Sequence, residues 1–203
     1  IGYNAVQKTT TASNNIGIGY EALQENTTGA NHIAIGNLTL TANTTGSDNL
    51  AIGYSTLESN TTGIRNVGVG TNALEDNVTN NYNVAVGYDV LREATANNNT
   101  GIGYQALKTN TTGSQNVAIG AEASDTSTTA QDNVIVGYRA GKALTTGGNN
   151  VALGSQAFDV NTTGANNVAI GKHCMGGNTT ASENTSVGTE SLEANTTGAQ
   201  NCA

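Results

Sequence analysis

A glycine returns every 17 residues along this chain, at Gly2, Gly19, Gly36, Gly53, Gly70 and Gly87, then at Gly103, Gly120, Gly137, Gly154, Gly171 and Gly188. The one irregular step, Gly87 to Gly103, is 16 residues. A period this constant means that each unit is one small supersecondary element stacked on its neighbours. Such a unit cannot bury an apolar face alone, so a core exists only between units. The period decides the architecture before length does, although 203 residues would otherwise allow one or two globular domains.

The residues around each glycine define one rung. Three before it stand Ile16, Ile33, Leu50, Val67, Val84, Val117, Val134, Val151 and Val168, and one before it Ile18, Ile35, Ile52, Val69 and their equivalents. Between them lies Ala or Gly, with Ile135 and Ser186 as exceptions. Period-two alternation in β-branched residues predicts a short strand with one apolar face. The expectation is that the Val and Ile columns point inward, and that the Ala and Gly column admits a close neighbour outside. Thr100 and Thr185 replace the usual Val, and each brings a hydroxyl that needs a partner.

Four residues after the glycine comes Leu23, Leu40, Leu57, Leu74, Leu91, Leu107, Phe158 or Met175, a second core column broken at Ser124 and Gly141. The segment leading to it, such as Tyr20-Glu21-Ala22-Leu23, is read as a second strand in preference to a helical turn. A turn follows, Asn26-Thr27-Thr28-Gly29 and its copies at Asn43, Asn60, Asn110, Asn161 and Asn195, with glycine expected at positive φ. The rung closes on another Asn: Asn49, Asn66, Asn83, Asn116, Asn133, Asn150 and Asn167, with His32 once. Stacked at one corner, these amides should form a ladder. The corner glycines from Gly19 to Gly188 should be required by positive φ or by lack of room. The reading is an all-β parallel β-solenoid of twelve rungs over residues 1–203, a rod of roughly 55–60 Å. The chain opens at Ile1-Gly2-Tyr3 and closes at Asn201-Cys202-Ala203, both inside a repeat, which suggests a single array cut from a longer fibre.

Composition narrows the function. Only 11% of residues are charged and 4% aromatic, with 26 Gly and no Pro, unlike either an enzyme or a solvated disordered chain. A net charge of −8 disfavours nucleic acid and anionic membrane. No apolar run is long enough for membrane insertion. His32 and His173 lack convergent catalytic partners. Lys172-His173-Cys174-Met175 has no metal-ligand spacing, and the acidic residues lack the calcium β-roll motif. No catalysis, cofactor or metal is expected. Cys174 and Cys202 form no disulfide framework and are read as small buried residues. A mixed-sign column, Glu58, Glu75, Arg92, Lys108, Asp125, Lys142 and Asp159, should pair between rungs for roughly 0.2–1 kcal/mol each. Asn26-Thr27-Thr28 and its copies match the N-glycosylation pattern, although turn chemistry explains the same residues. The column Tyr20, Tyr54, Tyr88, Tyr104 and Tyr138 suits either sugar stacking or packing at a corner.

Asn116-Val117-Ala118-Ile119-Gly120 resembles the Ser-Val-Ala-Ile-Gly repeats of the YadA-like heads of trimeric autotransporter adhesins. The longer unit, Asn-Val-Ala-Ile-Gly-Tyr-x-Ala-Leu-x-x-Asn-Thr-Thr-Gly, is more similar to repeats of phage tail-fibre proteins. The resemblance spans the whole chain, although the 17-residue unit is longer than the adhesin one. It implies a left-handed β-roll or β-helix and a homotrimer along the fibre axis. It also implies an extracellular place on a virion tail fibre or cell surface, with a glycan or protein receptor. The expected function is therefore a structural or adhesive fibre segment, with an adhesin head as the alternative. An ice-binding solenoid is the rival of another class. It needs a regular Thr array, here placed in the turns and read as broken at Ala94 and Leu144. The Ala column, Ala118 included, is the expected trimer contact, so Ala118→Arg should loosen the trimer and spare the core. Ile135 should mark a bulge or a filled gap between subunits.

Overall fold

The computed structural model describes residues 1–203 as an all-β parallel solenoid without helices. Its strands are β1 Ile16–Ile18, β2 Ile33–Ile35, β3 Leu50–Ile52, β4 Val67–Val69, β5 Val84–Val86, β6 Thr100–Ile102, β7 Val117–Ile119, β8 Val134–Val136, β9 Val151–Leu153, β10 Val168–Ile170 and β11 Thr185–Val187. They form one sheet in chain order, each strand parallel to the next and in register at the repeat: Ile33 faces Leu50, Ala34 faces Ala51, Ile35 faces Ile52. The short step is absorbed without a slip, since Val84 still pairs with Thr100 and Val86 with Ile102.

The strand faces are reversed relative to the sequence expectation. The central residue is the buried one: Ala34, Ala51, Ala85, Ala118, Ala152 and Ala169 are wholly inaccessible. The flanking branched residues face outward, with Ile16 at 47% and Ile119 at 37% exposure. The cause is the width of the rung. The Leu column following the glycine, Leu23 through Met175, is also wholly buried, and it joins the strand Ala column in one core cluster. A large side chain from one wall leaves room only for a small one from the other.

The packing shows this reciprocity residue by residue. Ile135, the large exception in the Ala column, is 1% exposed and belongs to the core, neither a bulge nor a subunit gap. The same rung carries Gly141 where others carry Leu, and a Cβ on Gly141 would sit 3.2 Å from Ile135 Cγ2. Likewise a Cβ on Gly68 would lie 2.6 Å from the Thr56 methyl, and one on Gly101 2.6 Å from Val90 Cγ1.

The segment after the glycine is neither strand nor helix. It is a chain of turns in which Glu21 (φ 56°) and Leu23 (φ 55°) are left-handed, a pattern repeated at Leu38 and Leu40 and onward. Alternation turns successive amides toward opposite neighbours: Glu21 N–H donates to Tyr3 C=O (2.9 Å) and Leu23 N–H to Thr39 C=O (3.0 Å). A left-handed non-glycine residue costs about 1–2 kcal/mol. Complete burial of a Leu contributes about 1.5–3 kcal/mol, which offsets it. Only 20 of 128 backbone hydrogen bonds lie within the strands, so turn segments carry much of the stacking.

Candidate functional site

The corner glycines sit at φ of 127–143°, and a Cβ on Gly53 would come 2.6 Å from the Gly70 carbonyl oxygen. Both conformation and space therefore exclude a side chain there. The turn glycines differ from expectation. Gly29, Gly46 and Gly63 have no positive φ; they are small because a Cβ on Gly46 would lie 2.6 Å from Asn43 Oδ1. Positive φ falls instead on the residue before the ladder Asn, such as Asp48 (61°) and Arg65 (56°).

The Asn corner is a buried hydrogen-bonded column. Asn49 Oδ1 accepts from Asn66 N–H (2.8 Å) and its Nδ2 donates to Gly63 C=O (2.8 Å). Asn66 and Asn83 repeat this pattern toward the next rung. From Asn116 onward the amides also bond one another: Asn133 to Asn116, Asn150 to Asn133 and Asn167 to Asn150, each at 3.1 Å. His32 fits the same place. Its Nδ1 accepts from Asn49 N–H (3.3 Å), so the ring proton is on Nε2, which donates to Gly46 C=O (2.7 Å). Burial holds its pKa below the usual histidine value.

A second Asn ladder was hidden in the turn motif. Asn26, Asn43 and Asn60 are wholly buried; Asn43 Nδ2 donates to Asn26 Oδ1 (2.8 Å) and Asn60 Nδ2 to Asn43 Oδ1 (2.9 Å). Each also closes its own turn, as Asn26 Nδ2 does on Gly29 C=O (2.9 Å). Asn26 is wholly buried, so a glycan on its Nδ2 would require the turn to open. The column is interrupted at Ala94, Ser127 and Leu144, and Asn77 Oδ1, Ser127 Oγ and Asn161 Oδ1 are left buried without partners.

Beside it run two Thr columns. The first, Thr27, Thr44, Thr61 and so on, spends its hydroxyls on the next rung: Thr27 Oγ1 donates to Thr44 C=O (2.9 Å). The second, Thr28, Thr45 and Thr62, is exposed. Ala94 and Leu144 do not break either column, because they belong to the Asn ladder. The interruptions are Val78 and the 16-residue rung, where Ala96 C=O accepts from Asn83 as turn glycines do elsewhere. The residue missing there is the exposed Thr, which nothing in the core needs.

The tyrosines stand outside, next to the exposed Ile and Val columns. Tyr3 stacks on Tyr20 (5.5 Å between centroids) and Tyr88 on Tyr104 (5.6 Å). Tyr54 is exposed, and Tyr138 lies under Arg139, whose guanidinium is 5.2 Å from the ring. The charged column pairs only in part as expected. Arg92 bonds Glu75 (2.7 Å), but Lys108 reaches Asp89 (4.0 Å), and Lys142 joins Arg139 on Glu122 instead of meeting Asp125. The Lys142 and Arg139 hydrogen bonds lower the Glu122 pKa, whereas burial raises Asp125 and Asp159.

Cys174 is buried, its thiol near Ser186 C=O (3.4 Å), but Cys202 is exposed, contrary to expectation. No three His, Cys, Asp or Glu side chains converge as a metal site, and the surface has no pocket. What the rungs build is a set of parallel columns: an outward Ile, Val and Tyr face, a Thr edge and a charged edge. No family model, curated protein or solved structure matches this chain.

Proposed function

We propose that this chain is a structural and adhesive segment of an extracellular fibre, of the phage tail-fibre kind, working as three parallel copies. The observation that carries the reading is the outward Ile and Val face. All-parallel sheets occur almost only with both faces covered. Here the inner face is covered by the Leu column, and the outer face presents Ile16, Ile33, Ile52 and Ile119 to solvent. Taken as a rectangle three residues wide and ten strand spacings long, that face is about 10 Å by 48 Å, or ~480 Å². This lies within the ~300–600 Å² range of the largest apolar patches on monomers, which are often functional, and it extends along all eleven strands. Further copies of the chain are the occupant with the matching rung spacing along the full length. The contact is thus assigned to Ile and Val, and the Ala column is no longer available for it. Three copies follow from the resemblance to tail-fibre and adhesin repeats.

A fibre segment needs reach, stiffness and a repeated surface, and a stacked array supplies these without any reacting group. With the apolar face turned to the axis, the Thr and charged edges face outward, where a cell-surface glycan or protein would meet them. The test is light scattering on the soluble chain and on an Ile52→Asp/Ile119→Asp variant. Trimers for the first and folded monomers for the second support the reading; a monomeric parent chain overturns it. An ice-binding solenoid is a second reading, favoured by the exposed Thr28 column, and thermal hysteresis would select it.

A further inference from the structure

We infer that Thr100 and Thr185 set the axial register of the assembled copies, an inference that rests on the apolar contact proposed above. A repeated face is self-similar. Sliding one copy past another by one rung, about 4.8 Å, again sets branched apolar side chains against branched apolar side chains. Shape alone therefore discriminates poorly against slipped assemblies, the ordinary weakness of a uniform register.

Two positions break the uniformity. Thr100 on β6 and Thr185 on β11 occupy the column that holds Val, Ile or Leu on the other strands. Their backbone N–H groups donate to Asn116 and Asn201 C=O (2.8 Å each). Their hydroxyls have no assigned work inside the rung and stand on the outward face. In register, copies related by a common axis bring Thr100 to Thr100 at one level, where hydroxyls can donate and accept among themselves. A one-rung slip sets Thr100 against Val84 or Val117 and leaves the hydroxyl without a partner in an apolar contact. A slip of five rungs would align Thr100 of one copy with Thr185 of another, but it uncovers five of the eleven strands. A buried polar layer that fixes register is the best-attested use of such groups in coiled coils.

The experiment reads register by crosslinking in a Cys202→Ser background. Copies carrying Ile119→Cys are mixed with copies carrying Ile102→Cys, unfolded and refolded together, then oxidised. Same-position disulfides report the aligned state, and 119-to-102 disulfides report a one-rung slip. With both threonines present, same-position products should exceed slipped ones by about tenfold or more, the ratio for one unpaired hydroxyl layer. Thr100→Val/Thr185→Val should lower the ratio about tenfold from the parent value, leaving only the preference that comes from the one strand a one-rung slip uncovers, and Thr100→Ser/Thr185→Ser should restore it. The Val variant keeps the β-branched shape already present in this column at Val84 and Val117. A ratio unchanged by Val overturns the register role while the trimer stands. Absence of any interchain product, together with a monomer in light scattering, removes the contact itself and this inference with it.

Discussion

Ile135 and Gly141 give the sharpest test of how the rung is filled. They lie on opposite walls of one rung, and the Ile side chain occupies the space that a Leu fills elsewhere. Ile135→Ala removes a side chain that is 1% exposed, with only a glycine opposite to relax into the gap. Its cost should be about 3 kcal/mol. Gly141→Leu alone adds a side chain whose Cβ already stands 3.2 Å from Ile135, at φ 55°. Overpacking and the left-handed backbone together should cost about 3 kcal/mol. The double variant recreates the usual Ala-and-Leu rung, since Leu40 adopts φ 49° at the equivalent place. It should lose only about 2 kcal/mol, leaving a coupling of about 4 kcal/mol between the two sites. Solenoid unfolding need not be two-state, so the readout should be local. Hydrogen exchange at Gly141 N–H, bonded to Ala157 C=O (2.9 Å), and at Leu144 N–H serves this purpose. Coupling below about 0.5 kcal/mol would refute the reciprocal-filling argument.

Ala118→Arg should unfold the rungs around β7, because it drives a cation into the core; circular dichroism should show lost strand signal in the soluble monomer as well as in any assembly. Ser127→Asn should stabilise by about 1 kcal/mol, as the new amide can donate to Ala130 C=O as Asn26 does to Gly29, and a thermal melt reads the gain. His32 has a folded pKa below its unfolded value of 6.5, so its contribution is complete above that pH and is lost as pH falls through the lowered value. Protonation would aim an Nδ1 proton at the Asn49 N–H, with Asn43 Nδ2 already 3.1 Å from Nε2 and Asp48 the nearby carboxylate. His32→Asn should therefore flatten the melting temperature between pH 7.5 and pH 5. Asp125 and Asp159 act oppositely: their raised pKa values make their contribution complete below 3.8 and lost as pH rises through the folded values.

The period and the parallel stacking were legible because they depend only on spacing. The Leu column was legible too, since a large apolar residue recurring at one place in a charge-poor chain has to be covered. The face of the strand was not. Alternation such as Val117-Ala118-Ile119 states that two faces differ, and hydrophobicity alone assigns the larger residues inward. A rung of 17 residues closes on so narrow an interior that volume overrides this preference. The deciding signal was present as compensation: Ile135 with Gly141 in one rung, Val90 before Gly101, Thr56 before Gly68. Each pairing is a large residue against a missing one, and such pairs make sense only across a shared interior.

The turn ladder was missed for a related reason. Asn-Thr-Thr-Gly has the composition of a solvent loop, and loops are normally exposed. In a solenoid, however, one loop is roofed by the next, so half of its groups lose water. Asn26 then needs a partner that a solvated turn would not, and finds it in Asn43 one rung away. The same logic turns outward at the strand. Stacking removes the inner face and the strand edges from water along the length of the rod, but it leaves Ile16, Ile33, Ile52 and Ile119 without cover. The interior of a rung this narrow is filled mainly by Ala and Leu and admits Ile135 only against Gly141, so the outward Ile and Val residues of the strands can be buried only outside it. Stability gained by adding rungs lengthens the uncovered apolar face in proportion, so the association proposed for that face would grow with the same length.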